Sequence, residues 1–185
     1  MSVGLKTKIA AGVELNELVH DSKHALEKIL NVSIVPPLSA VQFVGRRWIP
    51  VNYPYELKAG APIVALGIQD EPEMASVSIY KRTPDRFSQH DWDFEELCEM
   101  ASVEVCGERT GLSFALVAAV SLAIARRSRG LIADETRFYT ASFDSSPEEF
   151  LSSIRVPNKM RDYRTAANRF EEQLRRRKAM QPNHE

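Results

Sequence analysis

The chain has 185 residues, 44% of them hydrophobic and 26% charged, with a formal net charge of −1. That balance suits one soluble globular domain that buries its core without disulfides or structural metal, and it excludes disordered, collagen-like and repeat architectures. Two cysteines, Cys98 and Cys106, are too few for a disulfide framework and fit a reducing compartment.

The first predicted element is a helix over Leu15 to Leu30, where Leu15, Leu18, Val19, Ala25, Leu26, Ile29 and Leu30 recur at spacings of three and four. Pro36-Pro37 ends it. Val41 to Val51 reads as a strand broken or bulged near Gly45 and closed by Pro50 and Pro54. Ile63 to Ile68 is a continuous apolar run, the pattern of a strand covered on both faces. Ala75, Val77 and Ile79 alternate with Ser76, Ser78 and Tyr80 as a half-buried strand, and Asp70-Glu71-Pro72-Glu73 is the hairpin loop between the two.

A short helix is predicted over Asp91 to Met100, capped by Asp91 or Asp93, followed by a strand in which Ala101, Val103 and Val105 face inward. The segment from Thr110 to Arg129 is apolar around most of its circumference, so it must be buried on most sides. It is shorter than the roughly 18 to 20 apolar residues of a membrane span, and its basic last turn and Gly130 are the stop signals of a core helix. Leu131-Ile132-Ala133 and Phe138 to Ala141 read as two short strands around an Asp134-Glu135-Thr136 turn. Ser145 or Ser146 before Pro147-Glu148-Glu149 starts another helix. Beyond Val156-Pro157-Asn158, the residues Met160, Tyr163, Ala167, Phe170 and Leu174 form a narrow apolar seam on a charged helix, which is expected to lie on its own body or on a partner.

The fold class is therefore α+β: a mainly antiparallel sheet of about five or six strands, the alanine-rich helix 110–129 packed on it, and flanking helices. Residues 1–156 form the globular domain and 157–185 a basic amphipathic helix with a frayed end. No apolar stretch near the N-terminus suits a signal peptide, so a cytoplasmic protein without a membrane anchor is expected.

The charge is unevenly spread. Residues 155–185 carry nine Lys or Arg against four Asp or Glu, whereas residues 70–108 carry eleven Asp or Glu against three Lys or Arg. The acidic stretch is either a solvated face or an electrostatic docking surface, with Tyr80, Phe87, Trp92 and Phe94 interleaved as anchors. The partner-binding candidates are Asp70, Glu71, Glu73, Asp91, Trp92, Asp93, Glu95 and Glu96. Nucleic acid is disfavoured as a partner for the basic helix, because the aromatic residues there, Tyr163 and Phe170, already belong to the apolar seam.

No catalytic motif, metal site or cofactor site emerges. His20 and His24 have the spacing of two ligands on one helix face but lack a third. Cys98 lies among carboxylates, which raise a thiol pKa when a nucleophile needs it lowered. Asp134-Glu135 is the best-placed pair for acid and base work, yet turn chemistry alone accounts for both residues. With eight scattered glycines there is no phosphate-cradling loop.

The modest size, the consecutive strands and the alanine-rich helix Phe114 to Ala125 running into Gly130-Leu131-Ile132-Ala133-Asp134 resemble the small immunity proteins of bacterial polymorphic-toxin and type VI secretion systems. The resemblance spans roughly residues 40 to 142. It implies a bacterial protein, cytoplasmic or periplasmic, that binds one cognate toxin and blocks its active site without catalysis of its own. On charge complementarity, the acidic and aromatic candidates would pair with Lys and Arg around the toxin's catalytic cleft. The alternatives are a small enzyme whose site is assembled from His90, Asp134, Glu135 and Arg109, and a nucleic-acid or assembly module working through the C-terminal helix. Oligomeric state and the packing of that helix, in cis or on a partner, stay open at the level of sequence.

Overall fold

The computed structural model describes residues 3–9, 13–81 and 99–180. In chain order the elements are β1 (Gly4–Ile9), β2 (Val13–Glu14), α1 (Leu15–Leu30), β3 (Leu38–Val44), β4 (Arg47–Pro50), β5 (Glu56–Leu57), β6 (Val64–Ile68), β7 (Met74–Lys81), β8 (Glu99–Cys106), α2 (Gly111–Ser128), β9 (Ile132–Ala133), β10 (Asp144–Ser145), α3 (Pro147–Ile154) and α4 (Tyr163–Met180). The fold is α+β. Eight strands form one sheet in the order β10-β9-β1-β8-β7-β6-β3-β4, every neighbouring pair antiparallel, and β2 pairs separately with β5.

The sheet is larger than the five or six strands expected. One reason is β1, which lies between β8 and β9 near the middle of the sheet. Its alternation is legible in hindsight: Leu5, Thr7 and Ile9 are buried while Lys6 and Lys8 point to the other face. The second reason is the β3–β4 hairpin. Gly45 and Arg46 both have positive φ, 57° and 66°, and form a tight two-residue turn where a single interrupted strand was expected.

Alternation divides the sheet into two faces. Leu5, Leu66, Val64, Ala75, Val77, Ala101 and Val103 point to the core side and are buried. On that side lies α2, with fifteen residues from Gly111 to Ala125 buried without interruption. It is squeezed between the sheet and the pair α1 and α4. By length and composition α2 could cross a membrane, but 83% of it is buried inside the molecule, as a core helix must be.

The helix ends follow local chemistry. Thr110 caps α2 and closes a reciprocal box with Ser113, and Ser146 does the same for α3 with Glu149. At the far end of α2 it is Arg129, φ 50°, and not Gly130 that takes the left-handed position. Gly130 instead donates its amide to the Ala125 carbonyl at 2.9 Å and passes close to β1, where an added Cβ would meet the Lys8 carbonyl oxygen at 3.3 Å.

Two further expectations are corrected. Met100 belongs to β8, not to a helix, and residues 91–98 of that expected helix lie outside the described residues. Phe138 to Ala141 is not a strand: β9 pairs with β10, and the amides of Phe138, Tyr139 and Thr140 are turned onto the Asp134 carboxylate, which leaves them no ladder partner.

Candidate functional site

Of the acidic candidates, the structure describes Asp70, Glu71 and Glu73. Asp91, Trp92, Asp93, Glu95 and Glu96 lie outside the described residues, as does His90. Asp70 is exposed in the β6–β7 loop, with φ 66°. Its neighbours work internally. Glu71 accepts the Tyr163 hydroxyl at 2.6 Å and pairs with Arg164, which holds its carboxyl below the ordinary carboxylate value. Glu73 accepts the Thr110 hydroxyl at 3.2 Å, beside the cap of α2. These carboxylates therefore fasten α4 and the start of α2 to the sheet.

Of the residues of the enzyme alternative, Asp134 and Glu135 make contacts within the fold. Asp134 is 1% exposed, and its two oxygens accept Thr136 Oγ1 and the Phe138 amide, and the Tyr139 and Thr140 amides, at 2.7 to 3.1 Å. Burial pushes its carboxyl up, and these four hydrogen bonds pull it back. Glu135, just after β9, pairs with Lys6 on the neighbouring strand β1. Both carboxylates of the Asp134-Glu135 pair are thus spoken for by structure. Arg109 lies elsewhere, beside the N-terminus of α2.

Nucleophilic and metal chemistry fare no better. Cys106 is half-buried at the end of β8, and burial pushes its thiol up, away from the thiolate a nucleophile needs. His20 and His24 stand with their Nε2 atoms 3.1 Å apart, so one ring donates to the other, and His24 Nδ1 faces Glu27. Among the described residues no group of three or more His, Cys, Asp or Glu is placed to hold a metal ion.

The C-terminal helix packs in cis. Ala166, Ala167, Phe170 and Leu174 are buried against α1 and α2. Arg177 donates to the carbonyl oxygens of Tyr139 and Ser153, and burial lowers its pKa. Gly111 explains how close α4 comes: a Cβ there would sit 2.1 Å from the Ala167 carbonyl oxygen. Between α3 and α4 runs a basic groove of about 760 Å³ with Arg155, Arg169 and Arg176 along it. Phe170 is buried in the core and the Tyr163 hydroxyl is bonded to Glu71, so neither aromatic residue of this helix is set out as a platform for stacking bases.

The most interaction-like surface is one that sequence reasoning missed. The β3–β4 hairpin ends the sheet, and every residue of β4 is exposed. Phe43 and Trp48 face each other across it with ring centroids 5.1 Å apart. The Phe43 amide donates to Ile63 on its other side, so the Phe43–Trp48 pair is a non-hydrogen-bonded one, where cross-strand side chains come closest. Val44 and Ile49 are exposed on the opposite side of the ribbon, and Tyr53 and Ile63 are exposed as well. Arg46 and Arg47 stand exposed at the turn, and neither makes an ion pair with another described residue.

The edge of this hairpin is guarded. Trp48 and Pro50 share the register whose main chain points away from β3, and Pro50 has no N–H to offer, so β4 is a poor template for another strand. Recognition there would run through side chains. Tryptophan, tyrosine and arginine are the residue types that carry most binding energy at protein interfaces. A sequence signal existed, in that Phe43, Val44, Trp48, Ile49, Tyr53 and Arg46-Arg47 crowd a short stretch, but the reading of Val41 to Val51 as one interrupted strand left open which of them face solvent. Register places the turn at the same end of the sheet as Lys81 and Glu99, from which the connection carrying Asp91 to Glu96 departs.

Comparison with protein-family models, with curated proteins and with solved structures returns no match.

Proposed function

We propose that this protein is a binding inhibitor of the immunity type, which occludes a cognate protein toxin and uses the β3–β4 hairpin as its anchor. The observation that carries the reading is the exposed Phe43–Trp48 pair beside Arg46 and Arg47 on the edge hairpin. Contiguous exposed apolar side chains with arginine at their margin are the mark of a docking surface. The partner it fits has an apolar socket rimmed by carboxylates for the two arginines. Lys and Arg on the partner would face the acidic connection that holds Asp91, Trp92, Asp93, Glu95 and Glu96.

Binding is favoured over catalysis because Asp134 and Glu135 are both engaged in structural contacts. The reading is tested by capturing the partner on the full chain, expressing it alone and together with this protein, and repeating both with Trp48→Ala and Arg47→Glu. A partner that is toxic alone, neutralised by the wild type and released by either variant is the expected result. A partner that is harmless, or whose capture ignores both substitutions, overturns it.

A further inference from the structure

A second feature lies well away from the hairpin, where the start of α2, the loop after β9 and the last turns of α4 meet around a cavity of about 490 Å³. Its wall is aromatic. Phe114 and Phe138 meet edge to face there, with centroids 4.9 Å apart and planes at 60°. Its rim is cationic, formed by Arg109, Arg175 and Lys178, and among the described residues no carboxylate lines it. Ala179 leaves the space open beside Lys178.

We propose that this cavity binds a small anion carrying a flat apolar ring system. The volume is in the range of small-molecule sites, roughly 300 to 1,000 Å³. A ring would lie against Phe114 and Phe138, and the anionic group would meet the cations at the mouth. Both halves of the site are held in place before any ligand arrives. The four hydrogen bonds to Asp134 fix the loop that presents Phe138, and the Tyr139 hydroxyl donates to the Phe114 carbonyl at 3.2 Å, tying that loop to α2. Glu171 holds the Arg175 guanidinium from Nε at 2.9 Å and from Nη2 at 2.6 Å, leaving other N–H groups of the fork for a ligand. The positive end of the α2 dipole adds to the same field. An extended polymer is a poorer match, because the aromatic wall consists of two rings only, Phe114 and Phe138.

The fully assembled chain is titrated with anilinonaphthalene sulfonate, a sulfonate on a fused aromatic ring, by calorimetry and by fluorescence. One saturable site is expected. Lys178→Gln should weaken it about tenfold, the scale of one charge-assisted hydrogen bond, and Ala179→Trp should abolish it by filling the cavity. Both side chains are exposed, so neither change threatens the fold. Trp48→Ala should leave this binding as it is, which separates the site from the hairpin. Absence of saturable binding, survival of full binding in Ala179→Trp, or its loss in Trp48→Ala overturns the assignment. Inorganic phosphate alone should bind much more weakly than the sulfonate; equal affinity would remove the ring from the proposal.

Discussion

Glu71, in the loop between β6 and β7, accepts the hydroxyl hydrogen of Tyr163, at the first residue of α4, across 2.6 Å. The contact joins residues far apart in sequence and makes the acidic loop a clasp for the basic helix. Arg164 adds a charge to the same carboxylate, but its side chain is 68% exposed and solvent screens most of that attraction.

Replacing Glu71 by Gln should therefore lower stability by about 1 kcal/mol, less than the full worth of a hydrogen bond to a charged group because the amide oxygen can still accept from Tyr163. The sign with pH follows from the depressed carboxyl of the folded state. Its contribution is present in full above the unfolded value near ~4.3 and is lost as pH falls through the lower folded value. Denaturant melts of wild type and Glu71→Gln between neutral and acid pH should converge at the acid end. Curves that stay parallel would falsify the clasp.

Asp134→Asn is nearly isosteric and should still be severely destabilising. Both carboxylate oxygens accept hydrogen bonds from donors, so an amide NH₂ in either orientation faces an N–H or an O–H. About 2 to 3 kcal/mol is expected for the donor left unpaired in a buried site. Asp134→Glu should not rescue it, since the loop closes tightly around the shorter side chain. Thermal melts of the two variants test this, and an Asn variant as stable as the wild type would show that the network contributes nothing.

Gly111→Ala tests whether α4 is part of the body. The new methyl would lie 2.1 Å from the Ala167 carbonyl oxygen and 3.0 Å from Glu171 Cβ, so α2 and α4 must separate. Although alanine favours helices, the expected result is a loss of about 2 to 3 kcal/mol, the scale of overpacking a tight core. Deleting residues 158–185 should also destabilise the remaining chain. A deletion that melts like the full protein would mean that α4 is dispensable.

Arg46→Gly separates stability from binding. Arg46 holds a left-handed φ of 66°, which costs a side-chain-bearing residue about 1 kcal/mol relative to glycine. The substitution should raise the melting temperature while weakening capture of the partner. Unchanged capture would take Arg46 out of the docking surface.

Much of this architecture is local and so was legible. The spacing of Leu15, Leu18, Leu26 and Ile29 defines α1, the unbroken apolar run from Leu112 to Ala125 places α2 at the centre, and Ser146-Pro147 sets the start of α3. Each rests on a period or a cap that a few neighbouring residues decide. β1 was legible too, in the alternation Leu5, Thr7, Ile9, but two lysines in six residues disguise a strand whose other face is half-exposed.

What tertiary structure alone decided are partnerships between residues distant in sequence. Composition makes Glu71 and Asp70 equivalent surface acids, and only the arrival of Tyr163 turns Glu71 into a clasp. Asp134 reads as a turn former, or as half of an acid-base pair, until the chain folds three amides back onto it. Trp48 is a large apolar side chain, and its exposure follows from its place on β4, the last strand of the sheet, which has β3 on one side only. Periodicity reports which residues share a face of an element. Whether that face meets a core, a second helix or solvent depends on the order in which strands and helices assemble, and that is a long-range property of the whole chain.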